Sequence, residues 1–375
     1  MNFEIWTLVR RFLKENPDKA LECAEKALAA GDENAHWWVG QFLAAYKEDY
    51  RKALEHYEKA AADGNMYQAN AENELGDLYY YGCNGIKQDY GKAFAWYSKA
   101  AEHKNSDAMT SLAIMYLDGE GVPKDEKKTV ALLRQAVDLD DGNAMGLLGL
   151  AYKNGIGVEP DGQQAMKLLR DGAERGNADA MYGLGEMYSE GDAVEKDFAE
   201  AMKWYRKAAE NDNEDAMFSL GFLYRYGEGI EQDLDKAVEW YHKAGEHGNG
   251  DAMFELAMMY LEGAGVPKDE KKSTAYLQRG TDLGSYRAKA RLGKAYKDGI
   301  GIEKDVKKAV SLFNEAIEAG SRLALKELGD LYRDGAAGIV DVDPAKAKEY
   351  YQKAVDAGYE EAETPLNEMK AAENG

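Results

Sequence analysis

Cysteine is nearly absent from this chain: Cys23 and Cys83 are its only two in 375 residues. No paired spacing builds a disulfide framework, and no CxxC suggests zinc or redox work. This usage fits a reducing compartment, so the cytoplasm is the expected location. Proline is scarce as well, with 6 residues, which leaves helices uninterrupted. No stretch approaches the roughly 18 consecutive apolar residues of a membrane span. The opening "MNFEIWTLVRRFLKEN" carries Glu4 and Arg10-Arg11 where a signal peptide needs an unbroken apolar run. Basic residues are outnumbered 47 to 69, for a net charge of -22 and a pI near 4.8. Such a surface repels phosphate, so neither nucleic acid nor membrane insertion is expected.

What is present is apolar and periodic. Hydrophobic residues make up 45% of the chain and tyrosine alone contributes 25 residues, a globular composition. The length exceeds one ordinary core and suggests several domains or a modular array. The array is visible directly. Leucines at 112, 148, 184, 220, 256, 292 and 328 stand 36 residues apart, and Leu75 precedes them by 37. A degenerate copy begins at Ala35. A fixed period of this length predicts a solenoid.

Each copy divides into two helical halves. In "DAMFSLGFLYRYG", Ala216, Leu220, Gly221 and Tyr224 share one helix face. In "DKAVEWYHKAGEHG", Ala237, Trp240, Tyr241 and Ala244 form a second stripe. The recurring aromatic pair, Trp96-Tyr97, Trp204-Tyr205 or Trp240-Tyr241, resembles a stacking platform, but its helical spacing predicts core packing. The linking "YGEGIEQD" is predicted to be a joint. Gly227 suits a left-handed helix end, Gly229 permits a second positive φ, Ile230 tucks beneath, and Asp233 caps the next helix. Asp125, Asp161, Asp197, Asp269 and Asp305 hold the same place. A phosphate loop would need a preceding strand and a calcium loop a longer ligand series. The expected organisation is a capping helix pair at 1–31, nine repeats at 32–359, and a capping helix and tail at 360–375.

The pattern small residue, Leu-Gly-x-x-Tyr, Gly-x-Gly-Val/Ile-x-x-Asp, Lys-Ala-x-x-Trp-Tyr-x-Lys-Ala-Ala is met nearly in full at Ala180 to Ala209 and Ala216 to Ala244. It resembles the Sel-one-like repeats, relatives of the tetratricopeptide repeat, over roughly residues 33 to 362. The resemblance implies an all-α, right-handed superhelical solenoid of antiparallel helix pairs. It also implies an adaptor that gathers other proteins, in bacterial regulation or secretion among other settings. One cysteine-rich bacterial subset is associated with weak β-lactam hydrolysis, but its paired cysteines are missing here. The first copy, with its short "KEDY" loop, and the last, with "DGAAGIVDVDP", depart from the pattern.

Motifs for chemistry are wanting. No nucleophile elbow, Walker loop or H-E-x-x-H occurs, and the five histidines read as solvated surface groups. Catalytic residues, cofactors and metals are therefore assigned as none, and the chain is read as a non-enzyme. The candidate site is instead the helix face opposite the Leu-Gly-Tyr stripe, which in tetratricopeptide-like solenoids is concave. It carries Tyr182 and Glu186, then Phe218, Phe222, Arg225 and Tyr226, then Phe254, Met258 and Leu261, then Arg287, Lys294 and Lys297, then Lys326 and Arg333. Asp298, Asp330 and Asp334 are interleaved, and the amino-terminal side offers Asn70, Asn73, Asp77, Tyr80 and Tyr81. The partner-binding residues are taken as Tyr182, Phe218, Phe222, Arg225, Tyr226, Phe254, Met258, Lys294 and Lys297. Aromatic anchors there suit an extended peptide or helix, with any acidic end near the carboxy-terminal repeats. The expected function is a monomeric scaffold for a protein or peptide partner. A weak hydrolase and a self-assembling structural array are the rivals.

Overall fold

The computed structural model describes residues 16–62 and 64–374. The first helix expected before residue 16 lies outside them. The described residues form twenty α-helices, one short 3-10 turn and two isolated β-bridges, with no strand among them. They fall into two compact units, Met1–Met187 with Asp192–Val194, and Tyr188–Gly191 with Glu195–Gly375.

In the first unit α1 (Pro17–Ala29) precedes four helix pairs. These are α2 (Ala35–Lys47) with α3 (Tyr50–Ala60), α4 (Gln68–Tyr81) with α5 (Tyr90–Glu102), α6 (Ser106–Asp118) with α7 (Glu126–Asp138), and α8 (Gly142–Asn154) with α9 (Gly162–Glu174). Helix α10 (Ala178–Glu190) carries the boundary. The second unit continues with α11 (Phe198–Ala209). Four pairs follow: α12 (Glu214–Tyr226) with α13 (Leu234–Glu246), α14 (Gly250–Glu262) with α15 (Glu270–Asp282), α16 (Tyr286–Asp298) with α17 (Val306–Glu318), and α18 (Arg322–Asp334) with α19 (Pro344–Asp356). The turn Glu360–Ala362 and α20 (Glu363–Asn374) close it. Pro17 opens α1, where its missing N–H is no loss.

The Leu-Gly dipeptide explains how each pair closes. The leucine fills the core and the glycine admits a ring from the second helix. A Cβ on Gly221 would lie 2.7 Å from the Tyr241 ring, and one on Gly40 or Gly329 would lie 2.6 Å from Tyr57 or Tyr351. The second member of each aromatic pair is fully buried, as at Tyr97, Tyr241 and Tyr351. The first member is only half-buried, because it sits one step round the helix. Trp96, Trp204 and Trp240 there carry a lysine ammonium over the ring, at 4.0, 4.1 and 4.4 Å, a cation–π contact.

The loops are joints. Gly227 ends α12 at φ 68° and ψ 30°, its N–H bonding Leu223 O. Asp233 accepts from Lys236 N at 3.0 Å, and Asp125, Asp269 and Asp305 cap their helices alike. Gly229 also has positive φ, and a side chain there would run into Phe198 at the start of the preceding second helix. One loop solves this contact in reverse. Ala193 replaces the second glycine, and the helix start beneath it is Gly162, whose added Cβ would lie 2.5 Å from that of Ala193.

Candidate partner-binding face

Within α12, Phe218, Phe222 and Tyr226 lie along the face opposite Leu220. Phe218 is half-buried beside the Tyr241 ring, with centroids 5.7 Å apart. Phe222 and Tyr226 form a tilted pair at 4.5 Å, and Tyr226 remains 49% exposed. Phe254 and Met258 follow on α14. Phe254 is buried at 8% exposure, with the Arg287 guanidinium 4.1 Å from its ring centroid. Met258 is half-buried against the core of the carboxy-terminal pairs. The same opposite face thus holds one exposed aromatic, Tyr226, two half-buried ones, Phe218 and Phe222, and one covered one, Phe254. Tyr182 belongs to the first unit, where its hydroxyl donates to Glu186 at 3.1 Å.

The cations expected to be free are not. Arg225 is buried and binds Glu255 and, at 3.1 Å, Glu262. Arg287 binds the other oxygen of Glu255 at 2.8 Å. Lys294 and Lys297 converge on Glu327, which is only 1% exposed, while Lys326 donates to Asp330 at 2.7 Å. Burial pulls the Lys294 ammonium down, but Glu327 and Asp298 more than offset this and hold its pKa above the usual lysine value. The physical reason is the same throughout. A first helix lies beside the first helix of the next repeat, so buried carboxylates at Glu255 and Glu327 find partners 30 to 33 residues away. Buried ions must be paired.

The first unit shows the same register with different chemistry. Gln41 donates to Glu74 at 2.6 Å, as Lys294 does to Glu327. Without a cation, burial raises the Glu74 pKa to about 7, with Asp77 and Asp107 adding repulsion. Burial likewise raises Asp77, against the hydrogen bond it accepts from Tyr97 at 2.6 Å. Tyr80, another residue of this face, donates to Glu120 at 2.5 Å.

The histidines are less uniform than a solvated set. His36 is buried at 6% exposure, its Nδ1 3.0 Å from that of His56, and burial lowers both pKa values. His103 meets Glu72 at 2.7 Å and His242 the Tyr276 hydroxyl at 3.1 Å. Among the described residues no group of three or more His, Cys, Asp or Glu could hold a metal ion. No described helix is long and apolar enough to cross a membrane. The cavities on the two units are open clefts beside loops and helix ends.

Comparison with known proteins agrees with this architecture. The Sel1 repeat profile matches ten segments: 10–32, 36–65, 69–105, 106–141, 142–177, 178–213, 214–249, 250–285, 287–321 and 323–359. Among solved structures, c5321, a protective antigen of uropathogenic Escherichia coli with an SLR fold, is 28% identical with a TM-score of 0.62. The match covers 98% of this chain and 79% of that one. A Sel1 repeat protein from Oxalobacter formigenes is 29% identical with a TM-score of 0.56, covering 66% of this chain and 96% of that one. No curated protein matches the chain. With ten matched units spread over most of its length, the chain belongs to the Sel1 repeat family.

Proposed function

We propose that this protein is an interaction scaffold holding a peptide or protein partner on the first-helix face of its second unit. Sel1 repeat proteins commonly serve as scaffolds. The observation that carries the reading is the Phe222–Tyr226 pair, two tilted rings in contact, with Tyr226 half in solvent. Rings of this kind bury large area with few rotors to freeze, and truncating such an anchor typically removes 2 kcal/mol or more, about thirtyfold in affinity. The Arg225 guanidinium, held by Glu255, lies 5.3 Å from the Tyr226 ring centroid, and Phe218 one turn earlier packs beside Tyr241. The net charge of -22 favours a protein over a nucleic acid. The two unpaired cysteines suit a reducing compartment such as the cytoplasm. In this reading the protein acts as a monomer without catalysis.

The test is comparative capture from the native host with wild type and a Phe222→Ala, Tyr226→Ala variant, helical content being checked by circular dichroism. A partner retained by wild type and lost by the folded variant is the expected result. Equal capture by both, or none by wild type, overturns the reading.

A further inference from the structure

The acidic end of a partner was expected beside Lys294 and Lys297, and those ammonium groups are already occupied by Glu327. Unoccupied positive charge lies elsewhere in the same unit. A cavity of about 220 Å³ is lined by Phe254, Tyr286, Arg287, Arg291, Arg322 and Tyr359, with smaller residues between them. It thus holds three guanidinium groups in a chain carrying a large negative charge, and no carboxylate lines it. Two acids beside its lining residues are engaged: Glu255 holds Arg287, and Glu361 accepts from the Tyr359 hydroxyl at 2.7 Å.

The three arginines differ in what they offer. Arg287 is fixed by Glu255 below and spread over the Phe254 ring. Arg291 is half-buried and has neither ion pair nor hydrogen bond among the described residues. Arg322 reaches only the carbonyls of Ala357 and Gly358, at 3.4 and 3.5 Å, at the limit of hydrogen bonding. The amino end of α18 opens into the same cavity through Gly320, Ser321 and Arg322. Its unpaired N–H groups favour an anion there. The half-buried Arg291 and the exposed Arg322, neither of them in an ion pair, present forked donors that match a carboxylate. The aromatic walls, Tyr286 and Phe254, suit the carbon chain behind such a group.

We propose that this cavity takes a carboxylate of the bound partner, either an acidic side chain or a chain-terminal carboxyl group. The inference rests on the scaffold reading and deepens it. Phe254 joins the cavity to the aromatic face, so one peptide can engage both.

The experiment uses the full chain and three fluorescein-labelled probes of the sequence Gly-Ser-Leu-Glu-Phe-Glu. One is amidated at its carboxy terminus, one is amidated with both Glu replaced by Gln, and one has Gln but a free terminus. Binding is read by fluorescence anisotropy. Losing one charge-assisted pair is worth about tenfold, so the first or third probe is expected to bind at least tenfold more tightly than the second. Which of the two does so identifies the source of the carboxylate. An Arg291→Gln, Arg322→Gln variant, which has no ion pair to lose, is expected to keep its helical signal and lose that preference. Equal binding of all probes, a preference that survives in the variant, or no binding by about 1 mM overturns the proposal. So does a dimer seen in sedimentation and abolished by the variant, which would place a second copy in the cavity. If the arginine variant keeps its partner while the Phe222→Ala, Tyr226→Ala variant loses it, the scaffold reading stands and the carboxylate cavity falls.

Discussion

Replacing Glu74 by glutamine should stabilise the protein, and more so as pH rises. Glu74 sits half-buried on α4 with only the Gln41 amide against it. Burial first, then the neighbouring Asp77 and Asp107, raise its pKa from an ordinary 4.5 to about 7. The unfolded chain therefore gives up this proton well before the folded one does. The wild type is unpenalised below the unfolded pKa and loses stability as pH rises from about 4.5 through about 7. At 1.36 kcal/mol per pKa unit the full penalty is about 3 kcal/mol above pH 8, and about 1 kcal/mol is already present at pH 5. Glutamine keeps the shape and carries no charge at either pH. The Glu74→Gln variant should thus gain about 2 kcal/mol more at pH 8 than at pH 5. For a unit of this size that corresponds to roughly 4–8 °C in melting temperature. Thermal unfolding followed by circular dichroism at the two pH values measures it. A gain independent of pH, or a loss at pH 8, refutes the argument. Gln41→Lys offers a second arm, because it supplies the cation that Lys294 supplies to Glu327 and should bring Glu74 back towards 4.5 in a carboxyl-carbon NMR titration.

Four further outcomes follow from the same geometry. Glu327→Gln leaves Lys294 and Lys297 without their buried anion and should cost about 3 kcal/mol in urea unfolding at pH 7. Gly76→Ala drives a methyl into the Tyr97 ring and should cost about 1–3 kcal/mol. Gly91→Ala in α5, whose methyl would meet only Asp89 Oδ1 at an ordinary contact distance of 3.4 Å, should instead add about 0.5–1 kcal/mol by helix propensity. Gly162→Ala should destabilise by at least about 1 kcal/mol, and Ala193→Gly should restore most of the loss, which a double-mutant cycle reads directly.

Much of the fold was legible because its signals are local. Leu220-Gly221 needs only a helix and a ring to explain it, and Gly227 and Asp233 act on the helix ends they terminate. The core stripes are buried where the 3.6 period placed them, except that the first ring of the aromatic pair, as at Trp240, is only half-buried. The face opposite was harder, because its contacts run between repeats. Read within one repeat, Arg225 and Lys297 point away from the core and look solvated. The carboxylates that hold them, Glu255 and Glu327, lie 30 residues on, just before the next leucine. Arg291 holds that same place in its own repeat, and nothing within a single repeat distinguishes a cation with a partner from one without. His36 escaped for a similar reason, since its partner His56 is on the other helix of the pair.

The register that hid these contacts is also regular. The residue two places after one leucine, or after Val39 in the first copy, meets the residue just before the next: Gln41 with Glu74, Lys294 with Glu327. The pair is set by backbone geometry, and only its chemistry varies. A neutral donor leaves a carboxylate with a raised pKa in the first unit, whereas a lysine makes a closed ion pair in the second. In the second unit Arg291 and Arg322, neither of them in an ion pair, line one cavity with Phe254 and Tyr286. A repeat whose core is held constant by Leu, Gly and the ring thus alters the charge of its first-helix face through the two positions of this register, without disturbing the packing beneath.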